Sequence, residues 1–155
     1  MDGYDGRMFL TLLSLLVAQP AQTPHRFVFL GAGRFAQYAD MASLESEGSG
    51  GRIRVFQVVE PDFRAGGVAY WGGWSWWRFD CGPGGKVDRL DFASVREGGA
   101  EGPPTPDDAP AFVAVQGGDA FEMLVAACNP EDYETDATTL EAAVAHGRMN
   151  LAAGG

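Results

Sequence analysis

Short runs of β-branched and aromatic residues alternate with glycine-rich and proline-rich turns along most of this chain, and this alternation restricts the fold more than any other feature. Runs that predict strands lie at residues 25–30, 52–59, 68–81, 86–95 and 111–116. Glycine makes up 22 of the 155 residues, about twice its usual share of ~7%. Because tight turns connect strands that run antiparallel, the pattern predicts an antiparallel sheet.

The run at 68–81 is unusually aromatic. It holds six aromatic residues, namely Tyr70, Trp71, Trp74, Trp76, Trp77 and Phe79. Gly72-Gly73 interrupts it, as a bulge within one long strand or as a two-residue hairpin turn, and we favour the bulge. Since side chains alternate along a strand, Trp77 and Phe79 share the face of Cys81, whereas Trp74, Trp76 and Arg78 share the other face.

Two interpretations of this second face remain open. Either the C-terminal segment covers it, or its tryptophans form an exposed apolar patch for a protein or glycan partner. The candidate binding surface predicted from the sequence comprises Tyr70, Trp74, Trp76 and Arg78.

The period of the apolar residues changes after residue 116. Asp119 and Glu122 have the spacing of a helix start, and the apolar residues that follow recur at helical intervals, at Phe121, Leu124, Val125 and Cys128. Asn129-Pro130 ends the helix. The pattern predicts a short helix with Cys128 on its buried face.

The chain has two cysteines, Cys81 and Cys128. In an oxidising compartment such a pair is expected to be bridged, and the bridge would hold the helix against the sheet. A zinc site needs three or four clustered ligands, and His25 and His146 lie far from either cysteine in the sequence. A catalytic Cys–His pair is the less favoured alternative.

The N-terminus predicts export. An apolar run at residues 8–18 follows Arg7 and precedes small and turn-forming residues, which is the order of a secretory signal peptide. The run is too short to span a bilayer, so no integral membrane span is expected. A buried N-terminal helix or strand is the alternative, and Asp2 and Asp5 ahead of Arg7 favour Met8 as the true start.

Charge and motif content exclude several functions. The formal charge of −10 repels phosphate, so nucleic acid and anionic lipid are poor partners. Three serines, Ser43, Ser75 and Ser94, have no catalytic motif around them, and the carboxylates match no calcium-loop pattern. The sequence therefore predicts no enzyme, no metal and no cofactor.

One motif favours a different function. The segment from Gly31 to Ala36 matches G-x-G-x-x-A after a strand, as in dinucleotide-binding folds. However, Glu60, the acid behind the next strand, lies farther along than the usual spacing of about 20 residues, and no further βαβ unit follows. We therefore interpret these glycines as turn residues and keep nucleotide-cofactor binding as an alternative.

Several short motifs together resemble a known family. They are the Tyr-Ala-Asp-Met-Ala-Ser-Leu segment at 38–44, Arg-Ile-Arg-Val-Phe at 52–56, Arg-Phe-Asp-Cys at 78–81, and Cys128 closing a short helix. In this order they resemble the surface-adhesin protein E family of small exported bacterial proteins, over about residues 26–129.

The resemblance implies an α+β fold. Its parts are an antiparallel sheet of about six strands, a short C-terminal helix packed on the sheet, and a disulfide between Cys81 and Cys128. It also implies a turn and short strand at 38–44, which the residues alone leave ambiguous. Adhesion to host matrix proteins belongs to the pathogen members of that family. The acidic surface, the tryptophan cluster and the acidic tail depart from them, and no binding residue transfers.

The sequence thus predicts three segments: a signal peptide at 1–21, the α+β domain at 22–129, and an acidic tail at 130–155 that is a marginal helix or frayed. We expect an exported, adhesin-like binding protein without catalytic activity, in the periplasm or at the cell surface. Its partner is a protein or a glycan, and a homodimer stays open. The alternative is a periplasmic structural or accessory protein.

Overall fold

The computed structural model describes residues 23–154, so the predicted signal peptide lies outside the described residues. Nine strands come before two helices. The strands are β1 (Phe27–Ala32), β2 (Ala36–Glu47), β3 (Gly50–Val58), β4 (Arg64–Ala65), β5 (Val68–Asp80), β6 (Lys86–Arg89), β7 (Asp91–Arg96), β8 (Thr105–Pro106) and β9 (Phe112–Val113). The helices are α1 (Asp119–Cys128) and α2 (Leu140–Ala153), with a short 3₁₀ turn at Pro130–Asp132 between them.

All strand pairs are antiparallel, which confirms the predicted sheet type. The main path through the sheet runs β1-β2-β3-β5-β6-β9, and β7 also pairs with β5. The prediction of about six strands was wrong in number. Three of the nine strands, β4, β8 and β9, have two residues each and are too short to carry a periodic signal. The predicted run at 86–95 also divides at Leu90, because β6 and β7 pair with successive parts of β5.

The aromatic strand β5 organises the sheet. It pairs with β3 along nine residues, from Gly72 opposite Val58 to Asp80 opposite Gly50. Gly72-Gly73 lies within this single strand, and the pairing with β7 shifts register between Tyr70 and Gly72. The bulge is therefore confirmed over the hairpin turn.

The two helices lie on opposite faces of the sheet. Along β3, Ile53 and Val55 pack with α1, whereas Phe56 and Val58 pack with α2. The side chains of a strand alternate between faces, so each helix covers one of two hydrophobic clusters. Only the first helix was predicted outright, and the second was expected to be marginal or frayed. None of the helices in residues 23–154 is long and apolar enough to cross a membrane.

The predicted disulfide is confirmed. Cys81 follows the end of β5 and Cys128 is the last residue of α1, and their sulfurs are bonded at 2.05 Å. The bridge ties the end of the central strand to the helix on one face. It closes a loop over a sequence separation of 47 residues.

A glycine sets the position of α2. A Cβ at Gly147 would lie 3.0 Å from Cβ and Cγ2 of Val58 and 3.2 Å from Cβ of Ala36. The helix backbone therefore rests close to the end of the sheet where β2 begins and β3 ends. On the opposite face at that same end, a cavity opens beyond α1.

Candidate functional site

This cavity, here called the aromatic pocket, has a volume of about 320 Å³. Four aromatic side chains form its walls and two glycines form its floor, and two polar and two aliphatic side chains complete the lining: Phe35, Phe63, Tyr70 and Phe92, then Gly72 and Gly73, then Gln57 and Ser94, then Val59 and Ala65. The strand register places it on the α1 face, because Gln57, Gly73 and Ser94 form one cross-strand row. That row continues the face of Ile53 and Val55, which α1 covers.

The glycine floor is required by two close approaches. A Cβ at Gly73 would lie 2.3 Å from the Cε2 and Cζ atoms of Phe92, so the phenyl ring of Phe92 rests directly on the backbone of β5. Gly72 has φ of +156°, and a Cβ there would lie 1.7 Å from the carbonyl oxygen of Gln57. The Gly72-Gly73 pair that interrupts the aromatic strand thus leaves space for the ring of Phe92.

The walls of the pocket are partly open to solvent. Phe63 is 43% exposed and Phe92 is 37% exposed. The rings of Phe63 and Tyr70 meet edge to face, with centroids 6.4 Å apart. Such a mouth, apolar and aromatic with few polar groups, is suited to an apolar or ring-shaped group rather than to a strongly hydrated one.

Two further cavities, one smaller at about 210 Å³ and one larger and shallower at about 550 Å³, adjoin the pocket. The smaller cavity shares Gln57 with the pocket and the larger one shares Phe92, and Arg89 lines both cavities. Arg89 donates from Nε to the Asp107 carboxylate at 2.6 Å. The backbone N–H of Ala109 and the Arg89 side chain hold the pKa of Asp107 below its usual value. This carboxylate therefore stays ionised, and its hydrogen bonds are taken up by Ala109 and Arg89.

The residues of the predicted binding surface lie in three different places. Tyr70 lines the aromatic pocket. Trp74 is 3% exposed, with its ring 4.9 Å from that of Phe56 and 5.7 Å from that of Phe27 between centroids. An exposed role for Trp74 was therefore wrong, because α2 and the aromatic residues of β1 and β3 cover that end of the face.

Trp76 and Arg78 lie farther along the same face, beyond α2. The guanidinium of Arg52 sits 4.9 Å from the Trp76 ring centroid. A cross-strand row of charged residues crosses four strands here, with two arginines flanked by two acids in the order Glu45, Arg52, Arg78 and Asp88. Because Arg52 pairs with Glu45 and Arg78 with Asp88, the row neutralises itself and offers little net charge to a partner.

Three walls of the pocket, Phe35, Phe63 and Phe92, were missed by sequence reasoning. Each sits in a different segment: a turn, a hairpin connection and a strand. No local pattern connects them, since only the register of β3, β5 and β7 brings their segments together. The exposure of large apolar side chains could not be read from the sequence.

Comparison with family models, curated proteins and solved structures finds no match. The resemblance to the surface-adhesin protein E family therefore stays a prediction. Within its first motif, the Asp40 carboxylate accepts the backbone N–H groups of Arg26 and Ala42 and pairs with Nδ1 of His25 at 2.7 Å. The Ser43 hydroxyl donates to the Asp40 carbonyl oxygen at 2.6 Å. These bonds give the motif a structural role within β2, beside the start of β1.

The glycine motif at the N-terminus forms a hairpin. Gly31 and Ala32 end β1, and Ala36 begins β2, with the N–H of Gly33 donating to the Phe35 carbonyl oxygen at 3.0 Å. Dinucleotide binding through such a motif requires a strand-to-helix turn that presents a helix N-terminus. The interpretation as turn glycines fits this geometry, and Phe35 of the same segment faces the aromatic pocket.

Buried polar groups elsewhere attach α2 to the sheet. The Tyr38 hydroxyl lies 2.6 Å from Nδ1 of His146. Burial, together with the nearby Asp136 carboxylate, raises the pKa of Tyr38 above its usual value, so the phenol stays neutral. Within residues 23–154 no group of three or more His, Cys, Asp or Glu side chains is arranged to hold a metal. The aromatic pocket is the candidate functional site.

Proposed function

We propose that this chain is an exported binding protein of the periplasm or cell surface, without catalytic activity, and that it binds its ligand in the aromatic pocket. The observation that carries this proposal is the combination of four aromatic walls with a glycine floor. Its volume of about 320 Å³ lies at the small end of the ~300–1,000 Å³ typical of ligand sites. The pocket therefore suits a small aromatic or short apolar group, or the aromatic end of a larger molecule.

Export is supported by two features. The Cys81–Cys128 bridge is of the kind that persists in oxidising compartments. The apolar run at residues 8–18 has the order of a signal peptide. Both agree with the compartment that the family resemblance implies.

A binding role without catalysis is supported by the chemistry of the lining. General acid–base catalysis needs a titratable group near its working pH, and nucleophilic catalysis needs an activated nucleophile. Among the described residues that line the pocket, Tyr70 and Ser94 carry the only hydroxyl groups, and no histidine, cysteine or carboxylate accompanies them. The lining can therefore bind a ligand but supplies few groups that could take part in a reaction.

A structural or accessory role is the second candidate, and one observation favours it. The sheet ends at β9, where Phe112, Val113 and the following Val115 are 47%, 52% and 69% exposed. An apolar edge of this kind suits packing against a partner or a second copy. Adhesion, as in the family that the chain resembles, would also use such a surface.

The proposal is tested by titrating the protein with N-phenyl-1-naphthylamine, an uncharged aromatic fluorophore. Phe63→Ala and Phe92→Ala each remove one partly exposed wall, so we expect the dissociation constant to rise by about five- to tenfold for each. Phe112→Ala is the matched control, because Phe112 is an equally exposed phenylalanine outside the pocket. Equal affinities for all four proteins would reject the pocket as the binding site.

A further inference from the structure

The rim of the aromatic pocket carries guanidinium groups, although the chain as a whole is acidic. The guanidinium carbon of Arg34 lies 5.4 Å from the centroid of the Phe35 ring, one of the pocket walls. Arg96 lies directly opposite Tyr70 in the pairing of β7 with β5. Residues opposite one another in an antiparallel pair point to the same face, so Arg96 emerges beside the Tyr70 wall.

These two rim arginines differ from the four sheet arginines that pair with carboxylates. Within residues 23–154, the guanidinium-to-carboxylate pairs join Arg52 to Glu45, Arg54 to Glu101, Arg78 to Asp88 and Arg89 to Asp107. Neither Arg34 nor Arg96 has a carboxylate within 4.0 Å in that part of the chain, and both are exposed. Their charges are available to a ligand.

A third guanidinium lies behind the same wall. Arg148 of α2 donates from Nε to the carbonyl oxygen of Val59 at 3.3 Å and from Nη2 to that of Tyr70 at 3.2 Å. Its two hydrogen-bond partners are backbone carbonyls, and it lines a separate cavity together with Glu60 and Asp62. Because α2 covers the face of the sheet opposite the pocket, the guanidiniums available at the rim are those of Arg34 and Arg96.

We propose that the ligand of the aromatic pocket is a small amphipathic anion, with an apolar ring or short chain in the pocket and one carboxylate or sulfonate group at the Arg34–Arg96 rim. This inference rests on the proposed function of the pocket. It names the chemistry of the ligand, that of an aromatic or short fatty acid.

The opposite choice, a quaternary ammonium group, also fits aromatic walls. The two rim guanidiniums would repel it, since no carboxylate lies in the lining to offset them. The exposed acids next to the rim in sequence, Glu60, Asp62 and Glu97, lie outside ion-pair distance of Arg34 and Arg96.

The overall charge of −10 opposes any anion at long range. At physiological ionic strength, charges beyond the screening length of about 8 Å contribute little. For a molecule that already occupies the pocket, the nearby rim arginines therefore determine that a negative charge is preferred. The same overall charge still disfavours an extended anionic surface such as a membrane or nucleic acid.

The test uses two fluorophores that share one aromatic body. N-phenyl-1-naphthylamine is uncharged, and 1-anilinonaphthalene-8-sulfonate adds a single sulfonate. An exposed charge pair changes affinity by up to about fivefold. In 0.15 M salt, Arg34→Gln and Arg96→Gln should each raise the dissociation constant of the sulfonate probe by about three- to fivefold. The constant of the uncharged probe should stay within about twofold.

Arg64→Gln is the matched control. Arg64 is also exposed, lies in β4 between two lining residues, and donates to the Gly67 carbonyl oxygen at 3.3 Å. Strand alternation turns its side chain away from the face of Phe63 and Ala65. The control should leave the affinity for both probes unchanged, although it removes the same charge.

The outcomes separate the two proposals. If the sulfonate probe responds equally to Arg64→Gln, or does not respond to either rim variant, the anion inference is rejected. If both probes weaken equally in the rim variants, the arginines only support the pocket wall, and the inference is again overturned. If Phe63→Ala leaves the binding of both probes unchanged, the pocket itself is rejected, which is the failure of the proposed function.

Discussion

Gly72 is required both for the pairing of β5 with β3 and for the floor of the aromatic pocket. Its φ of +156° is unfavourable for other residues, and a Cβ there would meet the Gln57 carbonyl oxygen at 1.7 Å. That oxygen belongs to the β3 backbone and has little freedom to move. We therefore expect Gly72→Ala to lower the free energy of unfolding by about 2–3 kcal/mol, measured by urea denaturation.

Gly33 offers the matched control for that substitution. It lies in the exposed turn between β1 and β2, and a Cβ at this position would meet no atom within 4 Å. Gly33→Ala should change stability by no more than about 0.5 kcal/mol. Similar losses in the two variants would contradict the close approach of β5 to β3.

The fate of Trp74 shows where residue-level prediction from sequence ends. Strand alternation correctly separated Trp74 from Trp77 and Phe79, because the two-residue period is a local property. What covers each face depends on segments far away in the chain. Phe27 and the buried Val144 of α2 belong to the same cluster as Trp74, and nothing in the sequence around Trp74 specifies them.

Among the elements, those with a strong local period could be predicted. The strand at β5 and the helix at α1 follow from alternation and from helical spacing of apolar residues. The helix α2 has a weaker apolar stripe, rich in alanine, and was left undecided between a marginal helix and a frayed tail. Its packing depends on small residues, Ala143 and Gly147, that fit closely against the sheet and carry little hydrophobic signal.

That packing can be tested at the level of the element. Gly147→Leu would place a branched side chain where a Cβ already lies 3.0 Å from Val58, so we expect a loss of about 2–3 kcal/mol in unfolding free energy. Ala145→Leu is the control, because Ala145 is exposed on the same helix and leucine forms helices well. It should cost less than about 0.5 kcal/mol. Equal effects in thermal or urea unfolding would indicate that α2 is not packed on the sheet.

For the whole molecule, the aromatic pocket is an assembly of distant segments. Phe35, Phe63, Tyr70 and Phe92 come from the β1–β2 turn, the chain before β4, and strands β5 and β7. The sequence predicted most of these strands, and it placed Tyr70 on a binding surface. It could not predict the pocket, because the register between strands sets which side chains converge, and register depends on contacts across the sheet.

The disulfide is the feature that connects this architecture to the compartment. It joins the end of β5 to the end of α1, and α1 contributes Met123 and Leu124 to the core on its face. A bridge across a separation of 47 residues is worth up to about 4 kcal/mol in the chain-entropy account, and removing a native bridge typically costs about 2–5 kcal/mol. The pocket walls all lie on the sheet or its loops rather than on α1.

We therefore expect the double variant Cys81→Ser/Cys128→Ser to lose about 2–4 kcal/mol of unfolding free energy. This corresponds to a fall of roughly 10 °C in melting temperature. At a temperature where the variant remains folded, its affinity for N-phenyl-1-naphthylamine should stay within about twofold of the wild type. Dithiothreitol should lower the melting temperature of the wild type to that of the variant and leave the variant unchanged. A wild-type melting temperature that is insensitive to the reductant would contradict a stabilising bridge, and with it the strongest structural argument for an oxidising compartment.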